Sequence, residues 1–364
     1  MIAKARSQTL QWTTLAPALA FVLLAATWGR SLPTALVVLV ALFLAAAVLA
    51  AVHHAEVIAH RVGEPFGSLV LAVAVTIIEV ALIVTLMADG SEKNATLARD
   101  TVFAAVMITC NGIVGLCILV GALRHRVAVF NAEGTGAAFS AIATLATLSM
   151  VLPTFTTSKP GPQFSTTQLV FAATASLIVY GLFVGTLTVR HRDYFLPLTS
   201  EGKVLEEHAH PPTARAAWFS LGLLGVALVA VVGLAKGVSP TIERVVADAG
   251  LPASVVGVVI AMLVLLPETI AAVRSAARDR MQTSLNLAHG SALASIGLTI
   301  PAVAVASAWL SGPLVLGLDA THMILLALTI AVGTLTVMPG RATPLQGGVH
   351  LAIMAAFLVL AISP

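Results

Sequence analysis

Eleven apolar runs divide the chain, at about 12–28, 32–52, 65–88, 99–123, 135–157, 166–189, 214–234, 252–275, 283–309, 317–338 and 345–362. Each approaches or exceeds the roughly 20 residues that a helix needs to cross the hydrocarbon core of a bilayer. None alternates polar and apolar residues with the period of two expected of a transmembrane barrel strand, so the runs read as helices. The composition agrees. Only 10% of the 364 residues are charged and 59% are hydrophobic, where a soluble domain carries about 25% charged residues. A water-soluble globule of this make-up exposes more apolar surface than water tolerates. The expected fold is an all-α polytopic membrane protein with about eleven transmembrane helices. An ordinary soluble enzyme and a disordered chain are both excluded.

The few charges set an orientation. Thirteen of the nineteen Lys and Arg side chains fall on the side of the N-terminus and six on the other, when counted across eleven spans. By the positive-inside rule the N-terminus is cytoplasmic and the C-terminus outside, in the cell membrane. Lys4 and Arg6 precede the first run, but no small-residue cleavage site closes it before Arg30, so it reads as a retained helix. The net charge of +3 is spread along loops and implies no nucleic-acid partner. Cys110 and Cys117 lie two helical turns apart, about 10 Å, beyond disulfide reach.

The longest polar stretch, 190–213, separates five runs from five once the first run is set aside. The halves share a pattern: Glu56 to Pro65 and Glu243 to Pro252 both read E-x6-G-x-P, and each leads into an apolar run with one acid inside it. Five is odd, so the second copy enters the membrane upside down, the inverted-repeat plan of secondary transporters. The domain boundaries that follow are 1–30 for an N-terminal helix, 31–189 for the first five-helix repeat, 190–213 for a cytoplasmic loop and 214–364 for the second repeat.

Sixteen acidic side chains are present, and fourteen lie in loops or at run ends. The exceptions are Glu79 in VAVTIIEVALIV and Glu268 in AMLVLLPETIAA. A carboxylate inside a span costs roughly 2.5–3.5 kcal/mol on insertion scales, so it faces inward and marks an ion or proton path. An inward-facing acid that is simply protonated, or paired with a neighbouring base, is the alternative, but two acids at matched positions favour function. The positions are not ideally matched in depth: both lie past the centres of antiparallel runs, and Pro267 and Gly67 provide the kinks that would bring them level.

Polar partners stand in the next run of each half: Asn111 in MITCNGIVG, and Asn286, His289 and Ser291 in LNLAHGSALASIG. Ser291, Thr76 and Thr109 are equally suited to packing, since such side chains hydrogen-bond between membrane helices. His289, nearly alone as a basic group in mid-membrane, fits a proton carrier, a transition-metal ligand or a hydrogen-bonded structural histidine. The candidate cation- and proton-binding set is therefore Glu79, Glu268, Asn111, Ser291, Thr76 and His289, with the two glutamates as the metal ligands. Two further clusters stand apart. His53, His54, Glu56 and His60 resemble a metal site, with His53, Glu56 and His60 on one helix face, but the stretch lies just inside the membrane, where such residues are often simply solvated. Glu206, Glu207, His208 and His210 in the central loop read as a solvated linker or as a cytoplasmic sensor of cations or pH.

These segments are familiar in combination. AEVIAHRVGEPFGSLVLAVAVTIIEVALIV and LLPETIAAVRSAARDRMQTSLNLAHGSALASIGLTIP resemble the two signature repeats of the calcium/cation antiporter superfamily, in its calcium/proton exchanger branch and there the bacterial ChaA type. The likeness extends over residues 31–364. It implies five-plus-five inverted topology with an added N-terminal helix, and exchange of Ca²⁺, Na⁺ or K⁺ against H⁺. It places the family's repeat glutamates on Glu79 and Glu268, and its Gly-Ser positions on Cys110-Asn111 and Gly290-Ser291. The amide that the family carries before each glutamate is here Thr76 and Leu265. Fewer oxygens imply weaker calcium selectivity, because Ca²⁺ takes six to eight of them.

The resulting expectation is a cation/proton antiporter working by alternating access, partnered by the lipid bilayer and its transported ions, and needing no cofactor. A passive cation channel filtered by the same acids and a membrane-embedded enzyme using the His53 cluster are the alternatives. The enzyme reading has no HExxH or GxSxG motif behind it.

Overall fold

The computed structural model describes residues 11–30, 33–63, 66–88, 95–196, 212–252, 254–310 and 312–363. Among these lie eleven helices: α1 (Trp12–Thr27), α2 (Thr34–Val62), α3 (Phe66–Met87), α4 (Leu97–His125), α5 (Ala132–Phe155), α6 (Thr166–Arg190), α7 (Ala214–Asp248), α8 (Ser254–Ala276), α9 (Met281–Ala306), α10 (Ala320–Val337) and α11 (Pro344–Ile362). Nine of them are long and apolar enough to cross a membrane, and Trp12–Thr27 and Val73–Met87 are shorter apolar helices. The fold is an all-α polytopic membrane protein, as the runs imply. Glu206, Glu207, His208 and His210 lie outside the described residues.

Two helices overrun the apolar runs that announce them. α2 continues ten residues past position 52, and α7 fourteen past position 234. Loss of hydropathy ends a span but not a helix. EVIAHRV holds no helix breaker, and α7 runs on through Pro240. The stop comes at glycine: Gly63 and Gly250, at φ +80° and +69°, follow the ends of these two helices. Positive φ is cheap only without a Cβ. Both copies of the E-x6-G-x-P pattern thus end at equivalent helix termini.

Elsewhere the helices begin on caps legible in sequence. Asn131 accepts from Gly134 N–H, Thr213 from Ala216 N–H and Asp319 from His322 N–H, while Ser165 with Gln168 and Thr343 with Gln346 form capping boxes. The Met338-Pro339-Gly340 turn leads into a two-residue strand β2 (Arg341–Ala342), antiparallel to β1 (Ala128–Val129). This bridge ties the loop after α4 to the loop before α11.

The helices divide into two compact units. One holds residues to Leu86 together with Ala209–Leu251; the other holds Met87–His208 and Pro252–Pro364. In the first, α1, α2 and α7 pack on stripes of small and branched residues: Thr13, Ala16, Ala20 and Leu24; Val37, Val40, Leu44, Ala47, Ala51 and Ala55; Leu224, Ala227, Val231, Leu234 and Val238. Steps of three and four residues put each stripe on one helix face. In the second unit α4 is the core helix, 89% buried, while α6 at 17% presents most of its surface outward. Arg99 pairs with Asp100 at 2.7 Å and donates to Gly317 O at 3.0 Å, so these charges hold the end of α4 to the segment before α10.

Candidate cation and proton sites

Within the first unit, α3 carries Thr76 and Glu79 one helical turn apart, both buried at 4% exposure. Both have interaction partners. A buried carboxylate demands them, because desolvating it alone is prohibitive.

Within the second unit, α8 buries Glu268 to the same 4% directly after Pro267. Proline has no N–H to donate, so the Leu263 carbonyl four residues back receives no helical bond from it. The same helix therefore carries an acid and, one turn away, an oxygen freed from the backbone ladder. Glu268 too is engaged by neighbours.

Asn111 lies in a π-helical stretch of α4, Ile108–Ile113, where the backbone widens by one residue per turn. It is fully buried, and both ends of its amide are used. Nδ2 donates to Thr329 Oγ1 of α10 at 2.9 Å, and Oδ1 faces His350 Nδ1 of α11 at 3.1 Å. Thr336 Oγ1 of α10 meets the other nitrogen of His350, also at 3.1 Å. The Asn111 amide, expected among the cation ligands, bridges α10 and α11 in this structure.

His289 on α9 is 2% exposed, its ring 5.8 Å from that of Phe139, and its Nδ1 has no hydrogen-bond partner. Ser291 follows on the same helix, half-buried beyond Gly290. Asn286, one turn before His289, turns to the segment after α6 instead, donating to Phe195 O at 2.6 Å and accepting from Gln282 Nε2 at 2.8 Å. Among the described residues no three His, Cys, Asp or Glu side chains come together to hold a metal ion. That sets aside the metal reading of His53, Glu56 and His60. Cys110 and Cys117 are buried free thiols, as their spacing requires.

The family described as sodium/calcium exchanger protein matches residues 32–189 and 219–363. The chain belongs to this family. Among curated relatives of this exchanger, the protein y4hA of Sinorhizobium fredii is 48% identical over 356 residues, covering 97% of this chain and 96% of its own. The sodium-potassium/proton antiporter ChaA of Escherichia coli is 32% identical over 349 residues, 94% of each chain. Among solved structures, native YfkE superposes with a TM-score of 0.70 over 96% of this exchanger and 99% of its own chain, at 17% identity. That likeness is one of fold.

Three polar residues of the exchanger's interior escape a reading of local sequence: His350, Thr329 and Thr336. His289 is accordingly not alone as a buried histidine of the apolar runs, since His350 is buried in α11 as well. For His350 a signal was present, a lone histidine behind Gly347-Gly348 in an otherwise apolar run. For the two threonines there was none, because threonine is ordinary in membrane helices.

Proposed function

We propose that this exchanger trades Ca²⁺, Na⁺ or K⁺ for protons across the cell membrane, with Glu79 and Glu268 holding the cargo. The observation that carries the reading is the burial of one carboxylate within each of two apolar helices, α3 and α8. A carboxyl group is neutral with a proton and compensated with a cation, and only its empty ionised form is expensive to pass through a hydrophobic barrier. Proton and cation therefore compete for the same oxygens and travel in opposite directions. That competition separates an exchanger from a leak. The cation ligands assigned are these two carboxylates.

Two points bear on the cation. ChaA, 32% identical, is named for sodium-potassium/proton exchange. The residue three positions before each glutamate is Thr76 and Leu265, so no amide oxygen is available there. Both favour transport of monovalent cations beside Ca²⁺, which needs a richer oxygen shell. The inverted-repeat organisation, 31–189 and 214–364 around the loop 190–213, with 1–30 as an added helix, is supported by the matched glycine ends of α2 and α7. In this reading the N-terminus is cytoplasmic, the C-terminus is outside, the halves rock about the site, and the chain is a carrier rather than an enzyme.

The test uses everted vesicles with a pH-sensitive dye and separate pulses of Ca²⁺, Na⁺ and K⁺. Glu79→Gln and Glu268→Gln each abolish cation-driven proton movement. Near-normal exchange in both variants overturns the reading, and proton flux indifferent to the imposed cation gradient identifies a channel instead.

A further inference from the structure

A small cavity lies within the second unit among α4, α5, α9, α10 and α11, with room for about one water molecule. Most of its wall is apolar, Val114, Ile118 and Phe139 among it, but His289, Thr336 and His350 reach it from three different helices. Cys110 is the other titratable group on the wall among the described residues, and no acid or lysine lines it. Glu268, on α8, is not part of the lining.

The hydrogen-bond chain behind His350 can be followed donor by donor. Thr329 Oγ1 donates to Leu325 O at 2.7 Å, so it accepts from Asn111 Nδ2. The amide oxygen of Asn111 then accepts, and the proton between it and His350 belongs to Nδ1. A neutral imidazole with its proton on Nδ1 offers a lone pair at Nε2, which the Thr336 hydroxyl fills by donating. A second proton at Nε2 requires only that this hydroxyl turn and accept. On the other wall, His289 Nδ1 is a buried nitrogen with no protein partner. Buried polar atoms are seldom left so, and a cavity of one-water size with His289, Thr336 and His350 on its wall is where a water or a proton is held.

We propose that His289 and His350 form a second proton site, sharing one proton across this cavity through the Thr336 hydroxyl and a single water, separate from the carboxylates of Glu79 and Glu268. The proton comes from bulk water and adds to an imidazole lone pair, at His289 Nδ1 or His350 Nε2, and no bond to carbon is made or broken. Two imidazolium rings at one small cavity repel, so the pair takes one proton and titrates as a unit. The site binds a proton with no cation ligand beside it, which gives the exchanger a proton inventory beyond its cargo carboxylates. Only the transport readout of this inference rests on the antiport reading.

The experiment has two arms. In the first, the full-length protein labelled with ¹⁵N-histidine is titrated in nanodiscs from pH 5 to 9, with His289→Gln, His350→Gln and Thr336→Val for assignment. The site predicts two rings whose titrations depend on each other, so that removing either displaces the other. Rings that stay neutral throughout, or that titrate independently, overturn it. Should the histidine variants fail to insert, Thr336→Val, nearly unchanged in shape, still has to displace the His350 titration. In the second arm, the pH midpoint of cation-driven proton movement in proteoliposomes moves toward acid by the same amount in each histidine variant, roughly half a unit or more, and no further in the double variant. Unmoved or additive midpoints in a coupled wild type overturn the site. A wild type without proton coupling overturns the antiport reading instead, and the titration then decides the site alone.

Discussion

Asn111 Oδ1 and His350 Nδ1 meet at 3.1 Å although 239 positions separate the residues in the chain. A helix crossing produces the meeting. Gly115 lies one turn after Asn111 in α4, and Gly347 lies one turn before His350 in α11, so the two helices run in opposite directions through the contact. A Cβ on Gly347 would stand 2.7 Å from Leu119 N and 2.9 Å from Gly115 O. The backbones come this close because Gly347 has no Cβ. One turn further along, the amide and the imidazole are brought into hydrogen-bond range.

Gly347→Ala is therefore expected to force α11 away from α4, at a cost of about 1–3 kcal/mol, and to lengthen the Asn111–His350 contact. Its neighbour Gly348 is exposed, with nothing within 4 Å of an added Cβ. Gly348→Ala should be neutral, or stabilising by up to about 1 kcal/mol from helix propensity. Thermal unfolding of the two variants in one detergent compares them directly. Equal midpoints would show that the crossing tolerates a methyl group.

At Pro267 stability and activity are expected to part. A proline inside a helix costs about 3 kcal/mol because it removes a hydrogen bond and crowds the preceding turn. Pro267→Ala returns an N–H to the Leu263 carbonyl and regularises α8 beside Glu268. The unfolding midpoint should rise while cation-driven proton movement falls. A variant that exchanges like wild type would make the proline a matter of helix shape alone.

How much of this was legible beforehand depends on the range of each interaction. The eleven helices could be read because a bilayer imposes about 20 apolar residues on every crossing, and that signature is local. The ends of α2 and α7 could not, because helical hydrogen bonding continues past the apolar stretch until Gly63 and Gly250. Glu79 and Glu268 stood out as charges where charge is costly. Asn111 stood out for the same reason, but its role did not, since Thr329 and His350 lie 218 and 239 positions away. A tertiary hydrogen bond leaves no periodicity in either partner. Thr329 and Thr336 fill the i, i+7 face of an ordinary apolar helix and look like packing until the imidazole is seen beside them.

Acid should loosen the start of α10. Partial burial pushes the Asp319 carboxyl up, but the His322 backbone N–H, its imidazole and the Arg99 guanidinium outweigh it and hold the group below the usual carboxylate range. The folded protein thus releases this proton more readily than the unfolded chain, whose Asp titrates near about 3.9. The stabilisation is complete above that value and is lost as pH falls through the lower, folded one. Asp319→Asn keeps an oxygen for the His322 N–H, 2.9 Å from Oδ1, but cannot titrate. Between pH 6 and 3 the wild-type unfolding midpoint should fall more steeply than that of Asp319→Asn, and the two curves should converge at the acid end. Parallel curves would remove Asp319 from the acid response.

His54 and Pro17 should be coupled although they do not share a helix. Pro17 in α1 has no N–H for the carbonyl of Thr13, four residues earlier, and Thr13 is 5% exposed. A buried carbonyl left so is costly. His54 of α2 supplies the missing donor: its Nε2 lies 2.9 Å from Thr13 O, and its Nδ1 lies 3.2 Å from Ser220 Oγ of α7. A carbonyl only accepts, so Nε2 carries the hydrogen and Nδ1 is free to accept from the serine in the neutral ring. One histidine thereby joins three helices by repairing the gap that a proline leaves. Ser220→Ala should cost about 1 kcal/mol, and His54→Leu about 2–3 kcal/mol because it strands both partners. In the Pro17→Ala background the alanine N–H reaches Thr13 O from within α1, so His54→Leu should there cost distinctly less. A double-mutant cycle on unfolding midpoints measures the difference. If His54→Leu costs the same in both backgrounds, the histidine holds α1 by packing and not by serving the carbonyl that Pro17 exposes.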